Sequence, residues 1–182
     1  MADIVDLIHA EHRIMSRLLA RLERELDIFE KGERPDFDLV RDILDVMLSW
    51  PAACHHPKEA LLEARLAKVS PEMRKRVGII EREHLKMGEQ LANAQQALDS
   101  ILMEVEVSRD TFLAMARNLI ARIKYHLMME EEEFLPLARQ SLDAKTLEAL
   151  AREAEAAVAE RAECLGDRLQ VLLAETDNKA PA

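Results

Sequence analysis

The stretch His55-His56-Pro57-Lys58-Glu59 is answered 71 residues later by His126-Leu127-Met128-Met129-Glu130. In both, a histidine and a glutamate stand four positions apart, which on a helix puts them on one face, one turn apart. A second echo runs beside the first: Glu11-His12 returns as Glu83-His84, 72 residues on. A helical hairpin carrying a lone His and then His-x-x-x-Glu therefore occurs twice. That doubling decides the fold.

Outward from these motifs the chain reads as helices. Apolar residues at Ile4, Leu7/Ile8, Ile14/Met15, Leu18/Leu19, Leu22, Leu26 and Phe29 keep helical spacing until Lys31-Gly32-Glu33-Arg34-Pro35 stops the run. A second helix is predicted from about Asp38 to Lys68, with a kink or break at Pro51 and Pro57. Ser70-Pro71 opens a third helix, which runs through Ile80, Leu91 and Leu102 to Val105. Ser108 caps a fourth, which carries Phe112, Ile123 and Phe134 towards Pro136. A fifth is expected from about Asp143 to Glu175, followed by a frayed end from Thr176 to Ala182. The prediction is an all-α protein. Residues 1–140 form an up-down-up-down four-helix bundle of two hairpins (about 1–70 and 71–140), and residues 141–182 add a C-terminal helix and tail.

In such a bundle, residues equidistant from a turn lie at the same height. The midpoint of His12 and His55 is 33.5, inside the first turn; that of His55 and His84 is 69.5, at Ser70-Pro71. His84 and His126 are centred on 105, just before the Ser108 cap. Four histidines on four helices thus share one level.

Composition agrees with helices and narrows the function. The 182 residues contain 4 Gly, 6 Pro and only 3% aromatics, too few turn-formers and strand-formers for a sheet protein. A net charge of −10 argues against a nucleic-acid partner and against anionic membrane surfaces. No apolar run approaches the roughly 18–20 residues that span a bilayer. The opening Met-Ala-Asp-Ile-Val-Asp has neither the basic region nor the apolar core of a signal peptide. Two cysteines, Cys54 and Cys164, make no disulfide framework. The expected setting is cytoplasmic and reduced.

Buried without partners, four imidazoles and two carboxylates would cost several kcal/mol each, and a metal satisfies them. The candidate ligands are His12, His55, Glu59, His84, His126 and Glu130. This is a nitrogen and oxygen donor set without thiolate. If two carboxylates bridge a metal pair, each ion receives two histidines, two bridging oxygens and a shared oxo or hydroxo group. One octahedral position is then left open. Two non-haem iron ions fit this set, with manganese or zinc as the alternatives.

With Glu11-His12, His55-His56-Pro57-Lys58-Glu59, Glu83-His84 and His126-x-x-x-Glu130 through Pro136, the chain resembles the hemerythrin-like, or HHE cation-binding, domain over about residues 4–137. The resemblance implies a carboxylate-bridged di-iron site that binds dioxygen. His12, His55, His84 and His126 would be its terminal ligands, and Glu59 and Glu130 its bridges. Oxygen-carrying hemerythrins have a further histidine one turn from the third-helix ligand, where this chain has Ile80 and Gly88. His9, His56 and Glu81 are the candidate substitutes, each favoured for an outer or surface role. Ferritin-like oxidases use two Glu-x-x-His motifs. Here only Glu81-x-x-His84 matches, so the hemerythrin-like pattern fits better.

Around the motif, Ser16 and Gly88 lie one turn past His12 and His84, and either leave a pocket for a diatomic ligand or serve close packing. Met47, Met87, Met128 and Met129 line that pocket or fill the core. Glu131, Glu132 and Glu133 are expected to form a solvated face, Trp50 to pack, and Cys54 to be a small buried filler. The expected function is binding of dioxygen or a related small molecule in oxygen or iron sensing, storage or stress response. The alternatives are a di-iron enzyme that reduces peroxide or nitric oxide or donates iron for cluster repair, and a metal-responsive regulatory module. The expected partners are dioxygen, another diatomic or peroxide. The fifth helix either packs on the bundle or forms a homo-oligomer interface.

Overall fold

Helix α1 (Ile4–Glu30) begins at a reciprocal cap: the Asp3 carboxylate accepts from the Asp6 amide, and the Asp6 carboxylate from the Asp3 amide. It ends at Lys31, where Gly32 takes a φ of +83° that only glycine adopts without strain. The turn is held from inside, because the buried Glu25 accepts a 2.8 Å bond from the Asp36 amide. Then follow α2 (Phe37–Trp50), a π-helical turn Pro51–His55, α3 (His56–Leu66), α4 (Pro71–Leu102) and α5 (Arg109–Met129). A second π turn, Glu130–Phe134, leads into α6 (Leu135–Ser141), and α7 (Ala144–Asn178) closes the chain. The computed structural model describes residues 2–103 and 108–178, and among these there is no strand.

The π turns answer the prolines. The His56 amide bonds to Pro51 O and the Leu135 amide to Glu130 O, each across five residues. Pro57 and Pro136 follow one residue later, in the first turn of the next helical segment. A proline has no N–H and its ring crowds the carbonyl four residues back; a wider turn makes room. The kink expected in the second helix is therefore a π turn. The fourth helix, expected to run towards Pro136, passes it by the same device and continues to Ser141. The third helix stops at Leu102, and Val105 lies outside the described residues, as do residues 179–182 of the tail expected to fray.

Counting the bent pairs as single rods, α1, α2–α3, α4 and α5–α6 make the four-helix bundle. Helix α5 packs on α1 and α4, and α4 packs on α2. Helix α7 lies across α1, α2, the first π turn and α3, so its apolar face serves the bundle. Arg168 ties α7 to Asp42 and Asp45 of α2 at 3.3 and 2.9 Å.

Two apolar cores result. One holds Leu18, Leu22, Ile43, Leu44, Leu98 and Phe112, joined by Leu169 and Leu172 of α7. The other holds Ile4, Ile8, Leu62, Leu66, Val77 and Phe134, joined by Leu147 and Ala154. Each buried Leu or Ile is worth about 1.5–3 kcal/mol. On every rod the break between the cores falls at the histidine motif. A polar layer therefore crosses the bundle between two greasy ends.

Candidate metal centre

The layer contains the six residues that the motifs single out. His12 comes from α1, His55 from the end of the first π turn, Glu59 from α3, His84 from α4, His126 from α5, and Glu130 from the start of the second π turn. All but His84 are buried. Their inner atoms converge. His55 Nε2 stands 2.8 Å from Glu59 Oε1, with His12 Nε2 3.8 Å from that oxygen. The other Glu59 oxygen, Oε2, faces His84 Nε2 at 3.4 Å. Glu130 faces both ways too, with Oε2 3.2 Å from His12 Nε2 and Oε1 3.2 Å from His126 Nε2. Each carboxylate therefore offers one oxygen to the His12/His55 pair and one to the His84/His126 side.

Donor atoms of His12, His55, Glu59 and Glu130 all lie within 4.8 Å of one another, as do those of His84, His126 and Glu130. His84 Nε2 and His126 Nε2 are 2.9 Å apart. Two imidazoles bound side by side on one ion, at about 2.1 Å each, stand about 3 Å apart. The deciding observation concerns hydrogen bonds. Both oxygens of Glu59, both of Glu130 and Nε2 of His12 are fully buried and have no hydrogen-bond partner. The short N···O approaches lie off the hydrogen-bond direction. Orphaned buried acceptors are costly, and a cation among them removes the cost. The residues fit a pair of metal ions.

Without a cation, protons balance the charge. Burial lowers the His12 pKa, yet the closely facing carboxylates of Glu130 and Glu59 outweigh it and raise it to about 9. Burial acts likewise on His55, but Glu59 beside it and its bond to Glu11 bring it to about 10. Burial and the neighbouring Glu59 both push Glu130 up, and His12, His126 and His84 override them to hold it at about 2. Without metal, His12 and His55 carry protons beside the two carboxylates, and loading a divalent ion displaces those protons.

The outer nitrogens of the first pair are anchored. His55 Nδ1 is 2.9 Å from Glu11, whose other oxygen takes a 2.6 Å bond from the buried Lys58; Lys58 also donates to Cys54 O. His12 Nδ1 is 2.7 Å from Glu131, which also holds His9 at 2.5 Å. Trp50 stacks on His55 at 6.1 Å between centroids. Such partners fix the tilt of a metal-binding imidazole. Sequence patterns pointed to none of these roles, because the Glu11 and Glu131 contacts cross between rods. Glu131 corrects the expected solvated face. In the wide second π turn it reaches α1, while Glu132 and Glu133 stay exposed.

Of the three candidate extra ligands, His9 pairs with Glu131, and Glu81 is exposed. His56 lies closer than a surface role implies. Its ring stacks on His84 at 4.1 Å, and with Glu59 and His84 it forms a third cluster of potential donors. The turn of about 100° that separates His56 from His55 aims one ring at α4 and the other at α1. A cavity of about 610 Å³ opens here, reaching His55, His56, His84 and His126. Met47, Met87 and Gly88 line it, together with Met15 and the buried carboxyl of Glu63. Ser16 and Met128 are exposed and lie outside it, and Met129 borders a separate charged groove between α4 and α5. Cys54 is buried and free.

Fold and site together define a metal-binding helical bundle. The model of the hemerythrin HHE cation-binding domain matches residues 3–138, and the chain belongs to that family. No curated protein and no solved structure matches the chain. No helix among the described residues is long and apolar enough to cross a membrane.

Proposed function

We propose that the protein holds two non-haem iron ions in the polar layer and binds dioxygen or a related small molecule there, as an oxygen- or iron-responsive protein of a cytoplasmic setting. One observation carries the reading: the four carboxylate oxygens of Glu59 and Glu130 are buried and unbonded, each carboxylate facing both histidine pairs. His12 and His55 would hold one ion, His84 and His126 the other, and Glu59 and Glu130 would bridge them. Bound iron supplies electrons and an open position to the ligand. The chain keeps the ions in place, excludes water with two apolar cores, and orients the imidazoles through Glu11 and Glu131.

The test is metal analysis of protein from iron-replete cells, with absorption spectra after anaerobic reduction and after oxygen exposure. The expected result is about two irons per chain and new bands on oxygenation. Zinc or manganese in place of iron, or no metal at all, overturns the iron assignment. Iron that turns over peroxide or nitric oxide with an electron donor would make the protein an enzyme.

A further inference from the structure

The two histidine pairs differ in how they meet the outside of the bundle. The His12/His55 pair is closed behind by Glu131, Glu11, Lys58 and Trp50. His84 has the most exposed side chain of the four at 13%, against 2–6% for the others. It forms part of the wall of the 610 Å³ cavity, which also touches His55, His126 and the carboxyl groups of Glu63, Glu81 and Glu89, while most of its wall is apolar, with Met15, Met47, Met87, Leu91, Ile123 and Leu127. Gly88 stands one turn past His84 in that wall, and a Cβ built there meets no atom within 4 Å. Space is present where a side chain would normally be.

The other approach to the layer is the groove between α4 and α5. It is lined by charged side chains, Lys75 and three ion-paired cations: Arg122 with Glu83 at 2.7 Å, Lys86 with Glu83 at 3.1 Å and Arg76 with Glu133 at 3.6 Å. A small neutral molecule partitions into apolar space and gains nothing from a charged, solvated groove. From Gly88, the methionine walls and the exposed face of His84, we infer that a neutral diatomic ligand reaches the centre through the Gly88 cavity and binds at the His84/His126 half. The inference rests on the proposed metal reading. It adds the route, the half of the centre and the class of ligand.

The probe is nitric oxide, titrated anaerobically into the reduced, iron-loaded protein and followed by its absorption and electron paramagnetic resonance signals, with iron counted in every sample. Gly88→Leu fills the space from α4, and Ala60→Leu fills it independently from α3. Both are expected to keep the iron and the helix content of the parent and to weaken nitric oxide binding about tenfold or more. Ser16→Leu, at the equivalent place past His12, is expected to leave binding unchanged. Unchanged binding in both filled variants, or a loss in Ser16→Leu alone, overturns the route while the metal reading stands. A parent that holds no iron overturns both.

Discussion

The two halves of the candidate centre offer matching donor residues and have different supports. The repeat that pairs His12 with His84 and His55 with His126 also pairs Glu11 with Glu83, Lys58 with Met129, and Glu131 with Ala60. In the first half Glu11 is fixed between buried Lys58 and His55. In the second, no lysine stands at the matching place, and Glu83 turns out to Arg122 and Lys86. Where Glu131 holds His12, the matching position offers a methyl group. Among the described residues no carboxylate is hydrogen-bonded to the outer nitrogen of His84 or His126. A duplicated hairpin has thus kept its inner donors and changed what holds them, leaving one half rigid and the other accessible.

The largest expected effect removes what both halves share. Glu59→Gln keeps the side-chain shape but loses a charged donor facing both pairs, so bound metal should fall from about two ions per chain to below one. Undiminished metal in that variant would mean that Glu59 is not a donor shared by the two halves. Next comes the support. Glu11→Ala leaves Lys58 buried without its carboxylate and frees His55. We expect about 3–5 kcal/mol lower stability in urea denaturation and about 10–100-fold weaker metal binding by competition with a chelator. Glu83→Ala, its repeat equivalent, should cost about 1 kcal/mol or less, because its partners are at the surface. Equal costs would erase the difference between the halves. A finer probe is the time course of metal release to a chelator. It should be biphasic, and His84→Ala should remove the fast phase.

Much of this was legible in the sequence. The common level of the four histidines followed from turn midpoints, and the two apolar cores meet there because every rod breaks its apolar run at the motif. The prolines were legible as disturbances, but nothing local shows that the fourth rod passes Pro136. Only the preceding five-residue bond from Leu135 to Glu130 lets the rod pass it. Glu131 was hidden for the same reason, since its direction depends on that wide turn. Lys58 lay inside the motif as a charged residue, and nothing local says that it is buried 2.6 Å from Glu11 on another helix. Periodicity reports which face a residue occupies. It does not report which residue on a neighbouring rod meets it.

A pH titration separates the cavity from the candidate ligands. Burial, reinforced by the charge of Glu59, raises the Glu63 carboxyl to about 8. In the unfolded chain it ionises near 4.5, so between pH 4.5 and 8 the unfolded state gives up a proton that the folded state keeps. Stability of the metal-free protein therefore falls as pH rises through this window, by about 2–4 kcal/mol, and levels off above it. His12 and His55 move the same way over a later range. Their carboxylate partners overcome burial, so their contribution is full below pH 6.5 and lost as pH rises through about 9 and 10. Glu63→Gln removes the first fall and leaves the second. The difference between urea midpoints of parent and variant should accordingly be near zero at pH 4, grow to pH 8 and then stay constant. A difference independent of pH would mean that Glu63 is ionised in the fold and that the cavity beside His84 is wet. A dry cavity is what a neutral ligand needs, so this titration bears on the open half of the centre without touching one of its ligands.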